Sequence, residues 1–228
     1  MQLQKLNVTQ VWDQAYTLIK ELILRREFGA NQKLSIPELA EQLGISRTPI
    51  RDALNRLEME GLVKTVSKVG TFVVAIEEDN ILDTLDSRLM IDYWVVGQLT
   101  QAPKEQYAGT LQKLQLNVEE ARRALEDTDP NVYLQSSFDL DFHLIFVELG
   151  GNKKNIDIYR SLMHHRFLNI AGSKLTREML NRSFQQHLHI YECIQAGSFD
   201  DAKKAISAHL EYSKQNLLEI IKQSGGQI

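Results

Sequence analysis

The chain has 228 residues, 43% of them hydrophobic and 25% charged, which suffices for two modest domains that each bury a core. No apolar run approaches the ~20 residues of a membrane span, and Asp13 and Glu21 interrupt the stretch where a secretory leader would lie, so the expected location is the cytoplasm with no membrane partner. A lone cysteine, Cys193, excludes an internal disulfide, and among Ile190, Tyr191 and Ile194 it reads as a small core residue.

The net charge of −4 is unevenly spread. Residues 1–76 carry 10 Lys and Arg against 8 Asp and Glu, and the remainder carries 16 against 22. A local cluster of Arg47, Arg51 and Lys68 can attract phosphates, whereas the acidic remainder suits no nucleic acid. The two parts have different tasks. The expected division is a DNA-binding domain over residues 1–75 and a second domain over 76–228.

The first expected element is an amphipathic helix marked by Val11, Ala15, Leu18, Ile19, Leu22 and Ile23. Ser35-Ile36-Pro37-Glu38 has the form of a capping box, and Leu39, Ala40 and Leu43 continue it as a short helix that Gly44 breaks. Ser46 stands at the next N-cap position with Pro49 in the first turn, where a missing N–H costs little. Ile50, Leu54 and Leu57 recur on one face, and Gly61 supplies the stop. This is helix-turn-helix spacing, and it presents Arg47, Thr48 and Arg51 at the end of a helix that reaches base edges and phosphates. Residues 62–66 and 71–75 are β-rich and joined by Ser67-Lys68-Val69-Gly70, a hairpin that would act as a wing with Lys68 and Gly70 at its tip.

Ile76-Glu77-Glu78-Asp79-Asn80 marks the change to helical periodicity. Six helices and no strands are expected beyond it, over residues 78–101, 104–126, 130–149, 153–171, 176–196 and 200–222. Asp129-Pro130 reads as an N-cap followed by Pro at the first helical position, Gly150-Gly151-Asn152 as a stop and a cap, and Gly197-Ser198 as a further break. Asp139 and His143, four apart, share a helix face. His187 and His209 are equidistant from residue 198, so an antiparallel hairpin would hold both imidazoles at one height, about 16 Å from the turn at 1.5 Å per residue. Three imidazoles and a carboxylate could then converge inside a helical bundle, as bundle metal sites do. The alternative for any single histidine, and the expected one for His164, His165 and His189, is an ordinary core or surface residue.

The run Ser46-Arg47-Thr48-Pro49-Ile50-Arg51-Asp52-Ala53-Leu54, with Leu57-Glu58-Met59-Glu60-Gly61-Leu62-Val63, resembles the winged helix of the GntR superfamily over residues 8–75. The resemblance implies DNA contacts from Arg47, Thr48 and Arg51, and from Lys68 and Gly70 at the wing. Ala30-Asn31 replaces the family's usual Pro-Gly, and Asn31 suits the position because asparagine tolerates the left-handed region. Pro37 replaces a residue that is polar or basic in many relatives.

Residues 78–222 resemble the FCD effector domain of the FadR-type branch, through Asp139-Leu140-Asp141-Phe142-His143, Gly151-Asn152, His187-Leu188-His189-Ile190 and Ala208-His209-Leu210. The resemblance implies a divalent ion held by Asp139, His143, His187 and His209; Asp141 is an alternative carboxylate, but two residues from His143 on a helix it would point elsewhere. The His₃Asp set is compatible with zinc in the first place, and with nickel, iron or manganese. Arg88, within Arg88-Leu89-Met90-Ile91-Asp92, matches a family pattern whose arginine faces the same cavity and would clamp an effector carboxylate; pairing with Asp92 or Asp86 on the surface is the alternative.

The expected fold is thus mainly α, an N-terminal winged helix-turn-helix plus a C-terminal all-α, FCD-like bundle. The expected function is that of a ligand-responsive transcriptional regulator, not an enzyme. It would bind a pseudo-palindromic double-stranded operator as a homodimer and sense a small carboxylate. The alternative is a metal-dependent enzyme domain fused to a DNA-binding module, against which no general base is evident. Free-imidazole basicity implies a metal site that weakens below about pH 6.

Overall fold

A computed structural model describes residues 9–24, 27–75, 78–127, 133, 137–163 and 176–223. The chain divides into two compact units that meet in sequence between Glu77 and Glu78. The expected N-cap at Asp129-Pro130 and the histidines His164 and His165 lie outside the described residues.

The first unit comprises α1 (Thr9–Leu24), β1 (Lys33–Leu34), α2 (Ile36–Leu43), α3 (Arg47–Met59), β2 (Val63–Val66) and β3 (Gly70–Val73). Apolar faces of the three helices close over Ile19, Ile50, Leu57, Val63 and Val73, all nearly inaccessible to solvent. Burial of such side chains contributes roughly 1.5–3 kcal/mol each, the main term holding so small a unit together. Val11 and Leu18, expected on the inner face of α1, are 41% and 39% exposed, and Tyr16 takes the inward position instead. Its hydroxyl donates to Glu60 Oε1 at 2.7 Å, Lys20 reaches Glu60 Oε2 at 2.8 Å, and the Arg56 guanidinium lies 3.9 Å above the Tyr16 ring. These contacts tie α1 to the end of α3 and fix the orientation of that helix.

Ser35 caps α2 through its side chain, which accepts from the Glu38 N–H at 3.5 Å. Gly44 ends α2 at φ 65°, a left-handed conformation that an L side chain would strain and that makes the tight turn possible. Ser46 stands at the N-cap of α3 in extended conformation but makes no side-chain cap bond. Asn31 adopts φ 60°, the left-handed conformation expected of it. Its neighbours β1, β3 and β2 form an antiparallel sheet in that order, with Lys33 opposite Phe72 and Val63 opposite Val73. The two-residue strand β1 has no hydrophobic run of its own, and pairing with β3 creates it.

In the second unit the described helices are α4 (Glu78–Leu99), α5 (Lys104–Glu126), α6 (Phe138–Glu148), α7 (Lys153–Leu162), α8 (Arg177–Ala196) and α9 (Phe199–Gln223). The helix expected over 130–149 is not continuous, because Ser137 is non-helical and N-caps a separate α6. The helix expected over 153–171 ends at Leu162 with Met163 as its C-cap. Asn152 caps α7 by accepting from the Lys154 N–H at 2.9 Å. Gly197 ends α8, and α9 turns back along it. No described helix is long and apolar enough to cross a membrane.

Candidate DNA-reading face and candidate metal centre

The inward residues of α3 are Ile50, Ala53, Leu54 and Leu57. With 3.6 residues per turn, their burial leaves Arg47, Thr48 and Arg51 on solvent, and all three are exposed. None has a hydrogen-bond or ionic partner among the described residues, so their donors are available to a ligand. Lys68, also exposed, sits at the turn between β2 and β3 with φ 62°. Gly70 is only half exposed at φ 145°, and a Cβ there would meet Lys33 Cε at 2.6 Å. The Lys33 side chain thus lies over the Gly70 backbone, whose positive φ favours glycine. Lys33, not singled out in sequence, is exposed on the edge strand β1.

In the second unit, α6, α8 and α9 each contribute one imidazole to a common point. His143, His187 and His209 are buried, and their ring nitrogens lie within 4.8 Å of one another. The His209 Nε2 is 3.3 Å from both His187 Nε2 and His143 Nε2. Asp139 borders the group, with Oδ1 3.8 Å from His187 Nε2 and 29% of its side chain accessible. Asp141, two residues on, is exposed.

The cluster could hold a metal ion. Two nitrogens bound to zinc at ~2.05 Å and the tetrahedral angle lie roughly 3.3 Å apart, the spacing that His209 has to each of the other two rings. Gln186 Oε1, 3.1 Å from His209 Nδ1, accepts its proton and leaves the Nε2 lone pair directed at the cluster. Phe142 stacks on His187 at 4.1 Å and 8°, which fixes that ring. Burial, reinforced by the Arg88 charge, holds His187 at about 3. Burial, Arg88 and the neighbouring rings hold His143 well below its ordinary value; burial, His187 and Arg88 do the same for His209. All three rings are therefore neutral across the physiological range.

Arg88 on α4 is buried and faces this cluster; the surface pairing with Asp86 or Asp92 does not occur. Its Nη2 lies 3.1 Å from His143 Nε2, and its Nε donates to the Tyr159 hydroxyl at 3.1 Å. Tyr159 in turn donates to Asp92 Oδ2 at 3.1 Å, while the buried Asp92 Oδ1 has no hydrogen-bond partner among the described residues. Sequence reasoning missed Tyr159 and Gln186, whose contacts cross between helices. Asp92 was legible only as a residue one turn from Arg88.

Burial pushes Asp92 up to about 7, against the pull of Arg88 and of the Tyr159 hydroxyl. A folded-state value above the ordinary 3.8 means that proton uptake stabilises the fold as pH falls from about 7 toward 4. That contribution is lost as pH rises through 7. In Asp92→Asn it is absent, so as pH rises from about 4 to about 7 the variant should gain on the wild type by on the order of 1 kcal/mol per pH unit, and by nothing further above it. Denaturant unfolding from pH 4 to 8 measures this, and parallel curves for the two proteins would contradict it.

Two protein families match this chain. The model of bacterial regulatory proteins of the gntR family matches residues 12–73, and that of the FCD domain matches residues 83–212. The Nta operon transcriptional regulator of Aminobacter aminovorans is 27% identical over 86% of this chain and 89% of its own length. The Uxu operon regulator of Haemophilus influenzae is 26% identical, over 94% of this chain and 86% of its own length. The same fold occurs in a structure of Lar, described as controlling expression of the Listeria monocytogenes agr system. It has a TM-score of 0.69 and 20% identity over 96% of this chain and 99% of that one. It also occurs in Escherichia coli McbR/YncC, with a TM-score of 0.63 and 19% identity over 95% and 99% of the two chains.

Proposed function

The chain belongs to the gntR family of bacterial regulatory proteins with an FCD domain, and on that premise we propose that it couples DNA binding by α3 to a small carboxylate sensed beside the three-histidine cluster. The regulator reading is favoured over a fused metalloenzyme because the matching families and the named relatives are transcriptional regulators.

The observation that carries the effector class is the position of Arg88. A buried guanidinium points at the same histidine nitrogen that a divalent ion would use. Two cations side by side in a low-dielectric site repel strongly. With Asp139 and Asp92 both ionised, an ion and Arg88 together still leave an excess positive charge. A carboxylate bridging the two removes it, and guanidinium geometry suits a bidentate carboxylate. The residues that would hold the ion are His143, His187 and His209 with Asp139, and zinc fits the donor set and spacing. The ion would supply Lewis acidity toward an effector oxygen, and Arg88 orients that oxygen's partner.

An effector can change DNA binding only by preferring one conformation of the protein over another. The proposed readout is the spacing of two DNA-reading helices in a homodimer on a pseudo-palindromic operator. Light scattering should give twice the 26.2 kDa chain mass, and a monomer in the presence of DNA would contradict the proposal. A thermal-shift screen of short hydroxy, keto and sugar acids with zinc present tests the effector class, since a ligand of the native state raises the melting temperature. Arg88→Ala should abolish the shift given by any acid that stabilises the wild type, while retaining the metal. An acid that stabilises both proteins equally would remove Arg88 from the site.

A further inference from the structure

The side of α3 opposite its buried residues carries more than the arginines. At 100° per residue, the ridge pointing away from Ile50, Ala53, Leu54 and Leu57 consists of Thr48, Asp52, Asn55 and, at the C-terminal end, the exposed Met59, with Arg47 and Arg51 along one flank. Asp52 and Asn55 are exposed and have no hydrogen-bond or ionic partner among the described residues. Packing and capping of the helix do not require either side chain.

Asp52 constrains what this ridge can face. A carboxylate is repelled by phosphates, so a helix face centred on it does not track the sugar–phosphate backbone. Base edges are different, because cytosine N4 and adenine N6 offer donors that a carboxylate can accept. Asn55 follows Asp52 by three residues and Arg51 by four, which places it roughly 6 Å further along the helix axis than Arg51. Stacked base pairs are ~3.4 Å apart, so Asn55 addresses a base pair up to about two steps from the one Arg51 meets. Its amide is uncharged and contributes nothing to counterion release. It carries one donor and one acceptor in a fork that matches adenine N6 and N7 in the major groove.

We propose that Asn55 is a sequence-specifying residue of this helix, reading an adenine up to about two base pairs from the Arg51 contact in each half-site. The proposal rests on the reading of α3 as the DNA-contacting helix, and the two can fail separately.

Selection from a randomised duplex library tests it, using the full-length wild type, Asn55→Ala and Arg51→Ala. The wild type should enrich a two-fold symmetric site with an invariant A·T pair in each half. Asn55→Ala should enrich the same site with that pair degenerate, its preference reduced roughly 5- to 100-fold, and with an unchanged melting temperature. Arg51→Ala should alter a different position or weaken every sequence. If Asn55→Ala keeps the wild-type preference at all positions, the proposal is overturned and the α3 reading stands. Uniform weakening with the same preferences also overturns it, because that is the signature of a phosphate contact. A wild type that enriches nothing, or Arg51→Ala and Asn55→Ala variants that both behave as wild type, removes the α3 reading and this proposal with it.

Discussion

Replacing Arg47 and Arg51 together by alanine should weaken binding to the preferred operator by roughly two to three orders of magnitude. Each good base contact contributes ~1–3 kcal/mol, and 1.4 kcal/mol is a factor of ten. Both side chains are exposed and without partners among the described residues, so the fold loses nothing when they are truncated. Melting of the variant should match the wild type within about 0.5 kcal/mol. The salt dependence separates the two kinds of contact. An arginine that neutralises a phosphate reduces the slope of log K against log salt by about one when removed, whereas one that reads a base mainly relaxes sequence preference. Wild-type affinity in the double variant, measured by fluorescence anisotropy on a selected operator, would dismiss α3 as the reading helix.

The second large effect concerns the ion. Purified protein should hold one divalent ion per chain, and His187→Ala with His209→Ala should hold none. These rings come from two different helices, and His143 adds a third, so an ion would cross-link α6, α8 and α9. At a free metal concentration 100 times its dissociation constant, the folded state gains ~2.7 kcal/mol. For a protein of this size that is on the order of 5–10 °C in melting temperature. Chelation should produce the loss in the wild type and leave the double variant unmoved. Because burial lowers all three imidazoles far below 6.5, metal content should stay level from pH 8 down to pH 6. Equal, substoichiometric metal in wild type and variant would show these histidines to be a buried polar cluster. The regulator assignment would survive that result, and the metal-bridged effector would not.

Much of this architecture is written locally. The helix-turn-helix follows from Ser35, Gly44 and the apolar spacing of Ile50, Leu54 and Leu57, because capping and 3.6-residue periodicity act over a few residues. Asn31 takes its left-handed conformation for an equally local reason. Even the meeting of His187 and His209 is readable, since a hairpin folded at Gly197 brings equidistant residues together. His143 joins them from another helix, and there the resemblance to a family supplied what spacing does not.

Tertiary packing decided the rest. Strand β1 exists only because β3 pairs with it, and Ser137 interrupts a region whose composition reads as continuous helix. Arg88 could have paired at the surface, where water would solvate its charge. Instead, it is buried among partners supplied from far along the chain: Tyr159 is 71 residues away, and Tyr159 bonds Asp92 across 67. Gln186 reaches the ring of His209 rather than that of its neighbour His187. Residue type and short-range spacing determine which groups share a helix face. Which faces meet, and which charges are thereby stripped of water, is set by packing between helices distant in sequence, and that desolvation gives Asp92, Arg88 and the three imidazoles their chemistry.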